Sequence, residues 1–319
     1  MKNIKRRTLL TTAVTSLVVA GSYPLTRAQG VGGLANSTAQ TIRDKRPVVH
    51  DGGIRFGAYD PHGDFASQHN VSTEGLFLPW EDVDLDSLKL ADAYALERNR
   101  NLLITIEPWS WDVGWRLTSG QLREKVMRGE YDVNMQTIAA LIGQMKSPVI
   151  VRWAQEMEDT SGRFSWAGWA PQDYVTAYRR MMDILRREAP KADRMWSPKG
   201  LPNLTPYYPG DNYVDLVGLS VFGLEGYDER AYGAPRNFPQ SLKQGYDLVE
   251  GLGKPVWVAE FGYEGSDGYI TPWMQEATLK RDEFPALVEV VYFNDRDVHA
   301  WPFNLGRPDW RVLRGQATN

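Results

Sequence analysis

A single-domain (β/α)8 barrel is the fold this sequence predicts, on three observations. Eight short apolar runs alternate with stretches whose apolar residues recur at three- and four-residue spacing, so strands and helices take turns along the chain. Two of the runs, in SPVIVRWAQEMED and KPVWVAEFG, are continuous enough to be buried on both faces, as strands of a parallel barrel are. Two glutamates, Glu156 and Glu260, close these runs just before polar, Gly-rich sequence, at the strand ends where such barrels place their reactive groups.

In chain order the spacing predicts strands at Ile54–Tyr59 and Gly75–Pro79, a helix at Leu85–Arg98, and a strand at Leu102–Glu107. One long helix is predicted over Gly120–Met145, followed by a strand at Val149–Ala154. The next helix, Pro171–Glu188, begins with a proline where the first turn tolerates it. Strands at Arg194–Ser197 and Val214–Val221 follow, then a helix at Phe238–Leu252 with Pro239 in its first turn, and a strand at Val256–Glu260. Pro272 and Pro285 limit a shorter helix over Ile270–Glu283 before the last strand, Val288–Asn294. Eight strands are what a closed parallel barrel needs.

Residues 1–28 read as an export signal: a basic start ending Lys5-Arg6-Arg7, an apolar stretch Leu9–Ala20, and the small-residue cleavage pattern Thr26-Arg27-Ala28. Arg6-Arg7-Thr8-Leu9-Leu10 also resembles a twin-arginine signal, and both export routes stay open, with a periplasmic or secreted product either way. Residues 29–48 carry no apolar period and are expected to be a flexible lead-in, with the barrel domain running over 49–319. No later segment reaches the roughly 20 apolar residues that span a bilayer.

The chain carries no cysteine, which excludes disulfides, thiolate nucleophiles and Cys-ligated zinc. A net charge of −4 with dispersed basic residues argues against nucleic acid or an anionic membrane as partner and suits an uncharged polymer. With 12 Trp and 15 Tyr the chain holds more aromatic rings than a core requires, and flat rings suit the apolar faces of sugars. His50, His69 and His299 show no ligand spacing, so no metal is expected, and GVGG at Gly30–Gly33 follows no strand, so no nucleotide cofactor is.

Two carboxylates at two strand ends of one barrel are the equipment of a glycoside hydrolase. Side chains alternate along a strand, so Arg152, Ala154 and Glu156 are expected on one face, and an inward Arg152 beside Glu260 would hold that carboxylate's pKa down. Apolar rings such as Trp166 would in turn leave Glu156 protonated.

RWAQEMED with Trp166 and Trp169, YYPGDNYVDLVGLSVFG (Tyr207–Gly223) and VAEFG around Glu260 together resemble glycoside hydrolase family 26, whose members include β-mannanases, lichenases and β-1,3-xylanases. LLITIEPWSW (Leu102–Trp111), VVYFN and PDWRV extend the likeness over roughly Ile54–Val312. The resemblance implies a retaining mechanism with Glu156 as acid/base, Glu260 as nucleophile and Arg152 in contact with the nucleophile. Two positions depart from the family pattern. Gln155 replaces the usual histidine before the acid/base, and Phe222 stands where many members carry a tyrosine bonded to the nucleophile, leaving Tyr263 and Tyr292 as candidate replacements.

Glu107 with Trp109 is expected to bind a sugar at the end of the third strand, or else to be a carboxylate bonded to backbone amides. His62 suits a sugar hydroxyl, Trp301 an aromatic platform, and Trp310 the packing of a C-terminal helix. The function expected is a retaining endo-β-glycanase acting on a β-mannan, a β-glucan or a bacterial exopolysaccharide. The alternatives are a non-catalytic glycan-binding barrel acting in exopolysaccharide export and, more distantly, a barrel for small phosphorylated metabolites with Gly262 and Gly265 at the phosphate.

Overall fold

The computed structural model describes residues 41–315; the signal-like segment 1–28 and the first part of the lead-in lie outside the described residues. Eight parallel strands close on themselves in chain order: β1 Arg55–Tyr59, β2 Thr73–Pro79, β3 Asn101–Glu107, β4 Val149–Trp153, β5 Asp193–Trp196, β6 Leu216–Leu224, β7 Val256–Glu264 and β8 Leu287–Phe293. β8 pairs back onto β1, with Val291 opposite Gly57, so the sheet has no free edge.

Around the barrel lie α1 Leu85–Glu97, α2 Ser119–Arg128, α3 Asp132–Ile142, α4 Pro171–Glu188, α5 Glu225–Tyr232, α6 Phe238–Val249 and α7 Asp267–Glu276. The single helix expected over Gly120–Met145 is two. Gly129 takes a left-handed φ of 79° and caps α2, and a Cβ there would strike the Arg180 guanidinium, so the chain turns. Pro272 does not limit α7 but sits inside it. The Ser266 side chain caps its start, and Ile270 and Trp273 bury against the barrel, which offsets one missing hydrogen bond. α5 was not expected: EGYDERAY is too short and polar to show a period.

Two apolar layers follow from alternation. Leu103, Ile150, Met195, Leu216, Trp257, Ala259 and Val291 fill the barrel interior, while Leu102, Ile104, Val149, Val151, Val258 and Val290 face the helices. Gly218 makes the interior possible, since a Cβ there would lie 2.6 Å from Met195 Sδ and 2.9 Å from Ala259 Cβ. No helix follows β8 among the described residues. Trp310 is fully buried on irregular chain, where its ring covers Gly262 and lies 4.9 Å from the Phe222 ring.

Residues 42–48, read from composition as the end of a flexible lead-in, are instead a strap packed on the barrel. Lys45 is 1% exposed; its backbone N–H donates to Val312, and its ammonium donates to the carbonyls of Tyr263 and Asp309 at 2.9 and 2.8 Å. Burial lowers the Lys45 pKa from 10.5 to about 8. Between those values the unfolded chain holds a proton that the folded chain has released, so stability rises with pH across the window and the full cost of charging Lys45 is present below it. Relative to wild type, Lys45→Met is expected to flatten the rise in melting temperature between pH 8 and 10.5, an effect of up to about 3 kcal/mol. Parallel melting curves for the two proteins across that range would refute the assignment.

Candidate active site

β4 ends at Trp153. Its outer face carries Val149, Val151 and Trp153 and its inner face Ile150, which turns Arg152 inward as expected. Alternation does not deliver Glu156, however. Ala154 and Glu156 both take left-handed backbone, φ 49° and 55°, which costs a residue with a Cβ about 1 kcal/mol or more apiece. Three hydrogen bonds fix the turn: Glu156 N–H to the Ser197 carbonyl at 2.8 Å, Asp159 N–H to the Glu156 carbonyl at 3.1 Å, and the Trp166 indole N–H to the Gln155 carbonyl at 2.7 Å. Glu156 is thereby held over the barrel mouth, 5% exposed, with Oε2 free of any protein partner.

Glu260 arrives by a different irregularity. β6 and β7 pair in register up to Leu219 opposite Val258, then Ser220 pairs with Glu260, so β7 holds one extra residue. Ala259 lies in the interior layer and Phe261 in the outer one, so the bulge lets Glu260 follow Ala259 on the inner side. There it meets Arg152, whose Nη1 donates to Glu260 Oε1 at 2.5 Å and whose Nε donates to Ser197 Oγ at 2.8 Å. The guanidinium is 1% exposed and the carboxylate 12%.

The electrostatics differ from the sequence expectation. Burial outweighs the pull of Arg152 and raises the Glu260 pKa, with the charge of Glu156 adding to the rise. Glu156 follows the end of β4 and Glu260 lies toward the end of β7, strands that run parallel, so both carboxyls stand at the same rim of the barrel. Trp166 is fully buried and donates to the Gln155 carbonyl, and Arg163 and Lys199 are cations on which the Glu156 charge acts. Burial opposes the charge on each, but Glu156, with Asp297 or Asp159, outweighs it and raises both pKa values. Neither cation was singled out from the sequence, because each sits in an irregular loop where no period points to a face.

Glu107 ends β3 as expected, and its carboxylate bonds side chains rather than backbone amides. Oε2 accepts from the indoles of Trp109 and Trp111 at 3.0 and 2.8 Å, Oε1 accepts from Gln155 Nε2 at 3.3 Å, and burial raises its pKa. Gln155, 2% exposed, is thus tied to Glu107 by its amide and to Trp166 by its backbone carbonyl. His62 lies at the β1 end of the rim and pairs with Asp295 at 3.1 Å, the hydrogen bond that raises its pKa. Phe222 and Trp301 form an aromatic wall with Trp310, and Trp301 is pinned by its N–H to Asp297 at 2.8 Å.

Tyr263 and Tyr292 do not replace the missing tyrosine. Both belong to the outer layer, three residues from Glu260 and one from inward Val291 respectively, and their hydroxyls donate to the carbonyls of Lys45 and Trp310. Tyr59 is the tyrosine on the inner side, stacked edge-on against Phe77 at 4.9 Å. Burial and the charges of Asp295, Glu107 and Glu260 raise its pKa. Its place at the downstream end of a predicted strand was the signal that could have found it. Among the described residues no group of three or more His, Asp or Glu is placed to hold a metal ion.

The model of glycosyl hydrolase family 26 matches residues 119–235, which contain β4 and Glu156 but end before β7. A β-1,3-xylanase from an Alcaligenes species is 26% identical over 209 residues, 60% of this chain and 43% of that protein. Endoglucanase H of Acetivibrio thermocellus is 24% identical over 221 residues, 64% of this chain and 23% of that protein, so the chain spans less than half the length of either relative. The fold is shared with an endo-β-1,4-mannanase from Cellulomonas fimi, at TM-score 0.61, 18% identity and coverage of 76% of this chain and 65% of that one. A family 26 β-mannanase from Bacteroides ovatus superposes at TM-score 0.54 over 76% of this chain and 80% of that one, at 18% identity. With the closed eight-stranded barrel, these matches make the chain similar to glycoside hydrolase family 26 over its central part.

Proposed function

We propose that the protein is an exported hydrolase of β-linked polysaccharide that retains anomeric configuration. The observation that carries this reading is the meeting of Glu156 and Glu260 at one rim, with Glu260 held by a buried guanidinium. In the first step Glu260 Oε attacks the anomeric carbon and forms an ester bond to it, while the glycosidic C–O bond breaks and the departing oxygen takes the Glu156 proton. In the second, Glu156 takes a proton from water, the water oxygen bonds to the anomeric carbon, and the ester to Glu260 breaks. Named relatives that act on xylan and mannan support a β-glycan, with mannan, β-glucan and an exopolysaccharide as the candidates.

Proton NMR of the first product released tests the stereochemistry. The β-anomer is expected first, followed by slow mutarotation; an α-anomer at the earliest time would overturn retention. Turnover by wild type no higher than by Glu260→Ala on mannan, lichenan and β-1,3-xylan, with glycan binding intact, would favour a binding protein instead.

A further inference from the structure

Arg163, on which the charges of Glu156 and Glu260 act, lines a hollow of about 520 Å³, within the range of about 300–1,000 Å³ typical of small-ligand sites. Trp109, Arg116, Arg163, Phe164 and His299 line it, and no Asp or Glu is among its lining residues, although the chain as a whole is acidic at −4. The Arg116 guanidinium carbon lies over the Trp109 ring, 3.6 Å from its centre, and its Nε donates to the Ser110 carbonyl at 2.9 Å. It forms no ion pair among the described residues, and Glu107 and Asp82 act on it only through space, so its terminal amino groups are open to a ligand. Across the hollow, Arg163 shares Nη2 with Asp297 at 2.7 Å, while its buried Nε and His299 Nε2 have no protein partner.

We propose that this hollow is the subsite for a sugar unit carrying a carboxylate, with Arg116 as the residue that recognises it, so that the substrate is an acidic β-glycan. The proposal rests on the hydrolase reading above and narrows its substrate class. The physical reason is the match of shapes. A guanidinium stacked on an indole is a fork fixed in orientation, and a carboxylate presents two parallel acceptors to it where a hydroxyl presents one. A neutral glycan would leave the hollow's positive charge without a partner on the substrate. The neighbouring Glu107, Glu156 and Glu260 make the same point from the other side: an anionic substrate needs local cations to approach a rim that already holds three carboxyls.

The test uses the full-length protein and matched polymers: mannan and mixed-linkage β-glucan, each against the same polymer oxidised to the carboxylate at C6. Wild type is expected to cleave an oxidised polymer with kcat/KM at least about tenfold above its parent, a preference that shrinks as salt rises. Arg116→Gln is expected to bring the ratio of the two kcat/KM values to near one, a loss of about 10- to 100-fold on the acidic polymer, while Arg116→Lys keeps part of the preference. Equal rates of wild type on parent and oxidised polymers, or an equal fall on both in Arg116→Gln, would overturn the subsite. If wild type cleaves none of these polymers, nor a pyruvylated bacterial exopolysaccharide, faster than Glu260→Ala, the hydrolase reading fails by itself. Binding to Glu260→Ala then decides the subsite: tighter binding of the oxidised polymer sustains it and equal binding refutes it. A β-glycan bearing pyruvate ketals, assayed before and after mild acid, distinguishes a ketal carboxylate from a uronate as the group recognised.

Discussion

Glu260→Ala is expected to lower turnover on polysaccharide on the order of 10⁴-fold or more, because it removes the one oxygen placed to form the glycosyl ester. The space vacated by the carboxylate then serves as a port. Azide supplied to Glu260→Ala with an aryl β-glycoside is expected to restore part of the rate and to give an α-glycosyl azide, the attack coming from the face that Glu260 occupied. Glu156→Ala is expected to behave differently. An aryl leaving group departs without a proton, so the first step survives, the ester on Glu260 accumulates as a burst, and azide resolves it to the β-product. If azide gave the β-product with Glu260→Ala and the α-product with Glu156→Ala, the two roles would be exchanged; no rescue in either, with activity retained, would remove both from the chemistry. Glu260→Gln is the folding control, since it still offers an oxygen to the buried Arg152.

Much of this site was legible in the chain because it follows from periodicity. A continuous apolar run fixes a buried strand, its downstream end fixes the rim, and alternation from Ile150 fixes Arg152 inward. What escaped were the places where periodicity fails. Glu156 is aimed by two left-handed residues and Glu260 by an inserted one, neither of which leaves a mark in hydrophobic pattern. Tyr263 and Tyr292 were misplaced through the converse error, a choice by residue type that ignored the face to which the strand assigns them. The Glu260 pKa was expected low from its partner alone, whereas the cost of burying that carboxylate depends on everything above it and is set only when the barrel closes. The strap at 42–48 was missed for a related reason: its order comes from contacts with residues some 220 to 270 positions away, not from its own composition.

Arg152→Met is expected to act on both activity and stability through this same balance. Arg152 is the strongest influence holding the Glu260 pKa down against burial, so without it the carboxyl keeps its proton to higher pH and attacks less often near neutrality. The acid limb of kcat/KM is expected to move to higher pH, with a loss of about 10²-fold or more at pH 7 that is partly regained in alkali. For stability the sign is fixed by the raised carboxyl. Above the ordinary value of 4.5 the folded chain retains a proton that the unfolded chain has released, so stability falls as pH rises toward the raised folded value. That fall is expected to extend to higher pH in Arg152→Met than in wild type, and the variant is expected to be about 3–5 kcal/mol less stable near neutral pH, where it leaves a buried carboxyl without its partner. Arg152→Lys keeps the charge but cannot bond Ser197 and Glu260 at once, so its acid limb is expected between the other two. An acid limb unmoved in Arg152→Met, in a protein shown to be folded by its melting transition, would mean that the guanidinium braces β4 against β7 without tuning the carboxylate.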